Sequence, residues 1–455
     1  MTSGTARTVA FETVHAVAED DAYANLLLPR AITRAGLSSA DARLATELAY
    51  GTLRRQGTYD AVIAAAADRP IDRIDAAVRD ALRLGVHQLM STRIASHAAV
   101  NETVDLVRRT AGRSAAGFAN AVLRRVSRDT PGEWMSRIEQ TARSDDERLA
   151  LRSAHPVWII RALRRALAHE GRVDELDALL SADNDAPRVT MAALPGLADV
   201  PAGHARTPFS RLGFRAGAGD PEPLVRTSGG RLRVQDEGSQ LAALALTRVL
   251  PVVAGERWLD LCAGPGGKTA VLAAEAHAHD ARLEANELVP ARAGLVRQAL
   301  AGVPGEVPVS EQDGRQRAAS APGVYDRILV DAPCTGLGAL RRRPEARWRK
   351  SPADVGALAA LQAELLVAAI DALRPGGVVA YVTCSPHLAE TTGVLAEVER
   401  THGDRITQLD ARAAVQKVSR SRLDLAVPAD GSLRAQLWPH RHGTDAMFIS
   451  LLQRL

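Results

Sequence analysis

From Thr8 to about Arg128, apolar residues recur at helical spacing, as in Leu44, Leu48 and Tyr50 or Val100, Val104 and Val107, and no alternating run interrupts them. The pattern predicts an all-helical region. Its breaks, at 37–41, 69–72 and 111–114, place Ser or Asp where a short side-chain oxygen can accept from the open N–H groups of the next helix. Pro131-Gly132 closes the region, and Trp134 to Leu180 continues as helices with Arg152, Arg161, Arg164 and Arg165 at outward positions. Residues 181–232 change texture: Pro187, Pro195, Pro201, Pro208, Pro221 and Pro223 separate short extended runs such as Arg188 to Met191, which predicts a small mixed α/β subdomain. From Arg233 onward, short apolar runs at Trp258–Leu261, Arg327–Val330 and Val378–Thr383 alternate with longer helical ones, the pattern of a doubly wound parallel sheet. Three domains are expected, over 1–130, 131–232 and 233–455.

Composition narrows this picture without changing it. At 455 residues, 46% hydrophobic and 24% charged, the chain is globular in composition and long enough for several cores. Its three cysteines all follow residue 260 and form no disulfide framework, which suits a reducing cytoplasm. Glu12 and Glu19 interrupt the opening stretch, so no secretory leader is expected, and Gln362, Glu364 and Asp371 break the apolar run Leu358 to Leu373, so no membrane span is expected. Net charge is +4, and only Lys268, Lys350 and Lys417 are lysines, so the base is arginine. Arginine binds phosphate in a planar, bidentate way and stacks on bases. A chain-wide bias toward Arg and Ala accounts for the same counts equally well.

The chemistry concentrates in three strand-to-turn junctions. The first is Asp260-Leu-Cys-Ala-Gly-Pro-Gly-Gly-Lys-Thr269, an apolar strand and a glycine-rich turn before a helix. A phosphate-binding loop needs a glycine six residues before its lysine, and Cys262 stands there. An acidic residue about 20 positions beyond the turn can hold a ribose, and Glu287 occupies such a place for any adenosine-containing ligand. The second junction, Asp331-Ala-Pro-Cys-Thr-Gly-Leu-Gly338, delivers Asp331 and Cys334 to a strand end. The third, Thr383-Cys-Ser385, presents Cys384. Open α/β sheets bind ligands in the crevice at their carboxyl strand ends, so the three can face one another. Without close Cys or His spacing a metal site is not expected. Two thiols beside a carboxylate suit methylation of a pyrimidine at carbon 5. That carbon becomes nucleophilic once a thiolate adds at carbon 6, a second thiol can assist release, and a carboxylate can hydrogen bond the ring's polar edge, with Lys268 near either ligand.

These three segments closely resemble the Nop2/Sun (Fmu) family of RNA 5-methylcytosine methyltransferases. The resemblance implies that Cys384 is the nucleophile, that Cys334 aids product release, and that S-adenosylmethionine is the cofactor. It implies cofactor contacts from Cys262, Ala263, Gly264, Pro265, Gly266, Gly267 and Lys268, with Glu287 at the ribose, Asp313 near the adenine, and Asp331 between cofactor and cytosine. Ala99-Val-Asn-Glu102 and Phe118-Ala-Asn-Ala-Val-Leu-Arg124 resemble the NusB-like RNA-binding domain that the bacterial RsmB (Sun) branch carries. Arg233-Val-Gln-Asp-Glu-Gly-Ser-Gln240 and Arg341-Arg-Arg-Pro-Glu345 are similar to further family segments, and Gly443-Thr-Asp-Ala-Met-Phe448 to the terminal strand. The implied fold is an all-α NusB-like domain, a small α/β connector that binds RNA, and a Rossmann-like doubly wound methyltransferase domain. The implied substrate is 16S rRNA rather than tRNA, in a cytoplasmic protein presumed monomeric. A non-catalytic RNA-binding or ribosome assembly factor is the alternative that the intact Cys384, Cys334 and Lys268 argue against.

The sequence departs from the family at Gly264, usually Ala, at Glu287, usually Asp, and at Thr335, often Ser. After Ser385 the usual Pro-x-Glu-Asn-Glu becomes Leu388-Ala-Glu390-Thr-Thr392, in which only Glu390 matches. The basic run Arg341-Arg-Arg-Pro-Glu-Ala-Arg-Trp-Arg-Lys350 offers phosphate contacts and stacking by Trp348 to a single-stranded RNA, with a solvated surface helix as the plain alternative.

Overall fold

The computed structural model describes residues 4–20, 22–217, 219–428 and 430–455. By contact the chain divides into two units: Met1–Arg161 with Asp183–Asp185 and Leu340–Arg349, and Ala162–Ala182 with Ala186–Ala339 and Lys350–Leu455.

The first unit is helical, as the periodicity predicts. Ser38 accepts from the Asp41 N–H and starts helix Ser39–Arg54. At the second expected break the chain makes a turn of 3-10 helix, Ile71–Arg73, and Asp75 rather than Asp72 caps helix Ala76–Ser91 by accepting from Ala77 and Val78. At the third the break falls where expected: the helical stretch Ser96–Val126 is two helices interrupted at Gly112, whose φ of 89° and ψ of 178° are non-helical, a backbone setting that glycine tolerates and other residues resist. Leu48, Tyr59, Leu82, Val107 and Leu123 fill the core. Trp134, from helix Pro131–Glu139, is fully buried in the same core and donates its indole N–H to the Val126 carbonyl at 2.9 Å.

In the second unit, strands β1 (Thr190–Ala193), β2 (Gly213–Arg215) and β3 (Leu232–Val234) form a small antiparallel sheet in the order β2-β1-β3, over a core of Met191, Ala193, Phe214 and Leu232. The main sheet contains β4 (Arg257–Asp260), β5 (Arg282–Asn286), β6 (Val309–Ser310), β7 (Tyr325–Asp331), β8 (Leu373–Thr383), β9 (Ile406–Leu409), β10 (Ala435–Gln436) and β11 (Phe448–Arg454). Its order is β10-β11-β8-β7-β4-β5-β6, with β9 paired to β11. From β8 to β6 every pair is parallel, which makes a doubly wound core. Beyond this parallel core, β11 pairs antiparallel with β8, β9 and β10. An antiparallel flank on a parallel core is a common finish for such sheets. Gly443, at φ 66°, ends the short helix Pro439–His442, so the terminal strand begins only at Phe448.

Helix Pro352–Ala372 is long and apolar enough, by length and composition, to cross a membrane, contrary to the reading of its polar residues as breaks. Here its Leu365, Leu366, Ala369 and Ile370 lie in the core with Ile328, Val330, Val379 and Tyr381 of the sheet. It is a core helix of this unit.

Candidate active site

The carboxyl ends of adjacent parallel strands bring the three junctions together. Asp331 is the last residue of β7, and Lys268, in the first turn of helix Gly267–Ala278 after β4, sets its ammonium 2.8 Å from Asp331 Oδ2. Cys334 lies just past β7 and Cys384 just past β8, with their sulfurs 3.4 Å apart. The backbone enforces this approach: Gly338 N–H donates to the Cys384 carbonyl at 2.8 Å, and Ala446 N–H donates to the Gly338 carbonyl at 2.9 Å. A Cβ on Gly338 would stand 2.2 Å from the Ala446 oxygen and 2.8 Å from the Cys384 oxygen, so only glycine fits.

The glycine-rich turn is tied to the end of β5. Glu287, 5% exposed, accepts from Gly264 N–H at 2.9 Å and from Val289 N–H at 3.0 Å. Ala263 N–H donates to the Asn286 carbonyl, and Gly266 N–H to the Ala263 carbonyl. Gly266, at φ 88°, packs so tightly that a Cβ there would meet Ala299 Cβ at 2.5 Å. Pro265 stands exposed at the tip, and Cys262 is half-buried at the turn's start. Asn286 donates to the carbonyls of Leu261 and Gln312, joining the Asp313 segment to the same crevice. Asp313 itself caps helix Gly314–Ala319 and accepts from Arg315, which holds its carboxyl below the usual range.

Several residues of the site were given no role by the sequence reading. Asp260, at the end of β4, is fully buried; its Oδ2 accepts from Thr269 at 2.7 Å, its Oδ1 has no partner, and burial pushes the carboxyl up to about 7. Glu390 accepts from Thr335 N–H at 2.7 Å and from Ser385 Oγ at 2.6 Å. Gln362 donates to the Pro333 carbonyl at 2.7 Å and to Glu390 Oε1 at 3.3 Å. Gln362, set between apolar residues of its helix, was the available clue, since a buried group of that kind needs a partner.

The charges sort the reactive groups. Burial alone would lower the Lys268 ammonium, but Asp331 outweighs it and the group is held above its ordinary value. Burial pushes the Cys262 thiol up, reinforced by Asp260, Asp331 and Glu287, so this cysteine stays protonated. The Cys334 thiol is also raised, by its hydrogen bond to Cys384 and then by burial.

The basic run from Arg341 is not a solvated helix, because two of its arginines are buried. Arg341 and Arg347 are buried in the first unit, where Arg347 donates to the carbonyls of Arg54 and Asp183, each at 2.7 Å, and to Asn184 Oδ1 at 2.8 Å. Trp348 packs over Gly57, where a Cβ would meet its ring at 2.3 Å, and its indole N–H points to the Leu53 carbonyl at 3.4 Å. Helix-terminal carbonyls recruited these cations, which a count of charges does not reveal.

Comparison with known proteins bears on both units. Residues 247–453 match the family described as 16S rRNA methyltransferase RsmB/F, and residues 4–128 match the NusB family. The Mycobacterium tuberculosis protein Rv1407 is 48% identical over 460 residues, spanning 99% of this chain and 96% of that one. Ribosomal RNA small subunit methyltransferase B of Pseudomonas putida is 33% identical, over 90% of this chain and 93% of its own. Among solved structures, that of PH0851 superposes with a TM-score of 0.81 at 21% identity, covering 98% of each chain, and shares the fold.

Proposed function

The chain belongs to the 16S rRNA methyltransferase RsmB/F family, and from that premise we propose that it methylates carbon 5 of a cytosine in 16S rRNA, using S-adenosylmethionine and a covalent bond from Cys384 to carbon 6. The observation that carries this reading is the 3.4 Å pair of thiols beside the Lys268–Asp331 ion pair.

The crevice suits the cofactor. Glu287 and Asp331 supply carboxylates for a cationic ligand, and Asp260 Oδ1 is buried with no protein partner. Residues Cys262 to Lys268 would line one side of it, Glu287 would accept from the ribose hydroxyls, and Asp313 would flank the adenine. When bound, the cofactor supplies an electrophilic methyl group.

The remaining chemistry belongs to the chain. The Cys384 thiolate forms a bond to carbon 6, and the ring's electron pair moves toward carbon 5, which then bonds the methyl carbon. Asp331 holds the polar edge of the base, and Lys268 keeps that carboxylate oriented. Loss of the carbon 5 proton to solvent leaves the electron pair of that C–H bond to restore the ring double bond, and the carbon 6–sulfur bond breaks to release Cys384 as thiolate. Cys334 stands where it can assist that elimination.

Mapping 5-methylcytosine by mass spectrometry, after incubation of unmodified 16S rRNA and tRNA with protein and S-adenosylmethionine, tests the substrate. A mark confined to 16S rRNA is expected, and a mark only in tRNA overturns that part. Cys334→Ala should accumulate a protein–RNA adduct that survives denaturation. If Cys384→Ala traps the adduct instead, the two roles are reversed.

A further inference from the structure

Glu390 ends the 3-10 turn Leu388–Glu390 and is fully buried. Its two oxygens divide their acceptor sites between the loops that carry the thiols. Oε1 accepts from the Thr335 N–H at 2.7 Å and from Gln362 at 3.3 Å. Oε2 accepts from the Thr335 hydroxyl and from the Ser385 hydroxyl at 2.6 Å. Thr335 follows Cys334 and Ser385 follows Cys384. A single carboxylate therefore clamps the residue after each thiol, and Gln362, which also donates to the Pro333 carbonyl at 2.7 Å, holds the clamp from the core helix.

Such a group is expensive to bury unless every acceptor site is met, and here four donors meet them without any cationic partner among the described hydrogen bonds. We propose that Glu390 is a positioning residue that sets the approach of the two thiols and reserves the thiolate for Cys384. Its charge stands behind Cys334, where it adds to the Cys384 hydrogen bond and to burial in keeping the Cys334 proton in place. A Cys334 that keeps its S–H can donate it to the Cys384 sulfur across 3.4 Å, and a donor of that kind favours the thiolate form of its acceptor. On the other side, the negative charge of Cys384 helps hold Lys268 protonated. The assignment rests on Cys384 as nucleophile, but its test does not need the RNA.

The experiment alkylates the full-length protein with iodoacetamide in the absence of RNA and follows each cysteine by mass spectrometry. Glu390→Gln keeps the size of the side chain while replacing one acceptor by an NH2 group that faces hydroxyl donors. Wild type should alkylate at Cys384 well ahead of Cys334, and in Glu390→Gln that preference should shrink by about tenfold or more. With RNA and S-adenosylmethionine, kcat per cofactor-binding molecule should fall by about tenfold while both KM values stay within about twofold, a split that loss of folded protein alone cannot produce. Ser385→Ala removes one donor and should shift both readouts the same way by less; it decides the matter if Glu390→Gln does not fold. An unchanged cysteine preference in both variants, or an unchanged kcat beside a changed preference, overturns the proposal. Should the RNA be misassigned, the preference still moves while no RNA is turned over, so the two failures are distinct.

Discussion

Lys268 and Arg347 are both cations taken almost entirely out of water, at 9% and 0% exposure, and they do opposite things. Lys268 faces a carboxylate, Asp331, whose side chain is still 28% exposed at the mouth of a crevice. Arg347 faces carbonyl oxygens and an amide inside the helical unit. Burial lowers the Arg347 guanidinium to about 9, so it remains cationic at neutral pH. A rigid guanidinium with several fixed donors suits a nest of carbonyls, whereas a point charge beside one acid stays available to a ligand. What a buried cation is paired with separates a structural pin from chemistry better than its neighbours in sequence do.

The comparison breaks first at the thiols beside Lys268. Cys384→Ala should abolish turnover while leaving the thermal midpoint near that of wild type, because a half-buried sulfur contributes little packing. Retained methyl transfer would remove Cys384 from the nucleophile's role and leave Lys268 without a reaction to serve. The effect expected at the other pole is on folding. Arg347→Ala strips the Arg54 and Asp183 carbonyls of their donor inside the core and should cost about 3–5 kcal/mol. Urea unfolding, followed by hydrogen exchange in helix Ser39–Arg54, would read it. Unchanged protection there would mean that Arg347 is a bystander.

Much of this was legible in the sequence, and the gaps have physical causes. Strand-to-turn junctions announce themselves because apolar runs, glycines and a proline occupy consecutive positions. Asp260, Lys268, Asp331, Cys334 and Cys384 therefore stood in readable motifs, although Asp260 was passed over as the tail of a strand. Glu390 and Gln362 act through distant partners, Thr335 and Pro333, that no local spacing encodes. The Arg341–Lys350 run was incompletely read for the same reason in reverse. Its composition matched an RNA contact, but the acceptors that claim it are main-chain carbonyls of the helical unit, which have no signature in sequence. The antiparallel flank was also hidden, since an apolar terminal strand looks alike in either direction.

The gentlest probe is pH, because buried groups in the two units respond to it with opposite sign. His155 is fully buried in the helical unit, and burial, then Arg347, lowers it from 6.5 to about 4 against the opposing pull of Asp183. In the native state it therefore holds fewer protons than the unfolded chain between those values. Its contribution to stability is complete above 6.5 and is lost as pH falls toward 4, with a slope of up to about 1.4 kcal/mol per pH unit. Asp260 runs the other way. Burial raises it from 3.8 to about 7, so the native state holds the extra proton, and its contribution is complete below 3.8 and lost as pH rises through 7. Between about pH 4 and 6.5 the two slopes oppose and nearly cancel, so wild-type urea midpoints should vary little there; Asp260→Asn should expose the fall toward acid that His155 causes, and His155→Phe should expose the decline toward neutral pH that Asp260 causes. If the urea midpoints of His155→Phe follow the same pH profile as wild type, the histidine is not held neutral beside Arg347, and the picture of that pocket as a closed pin gives way.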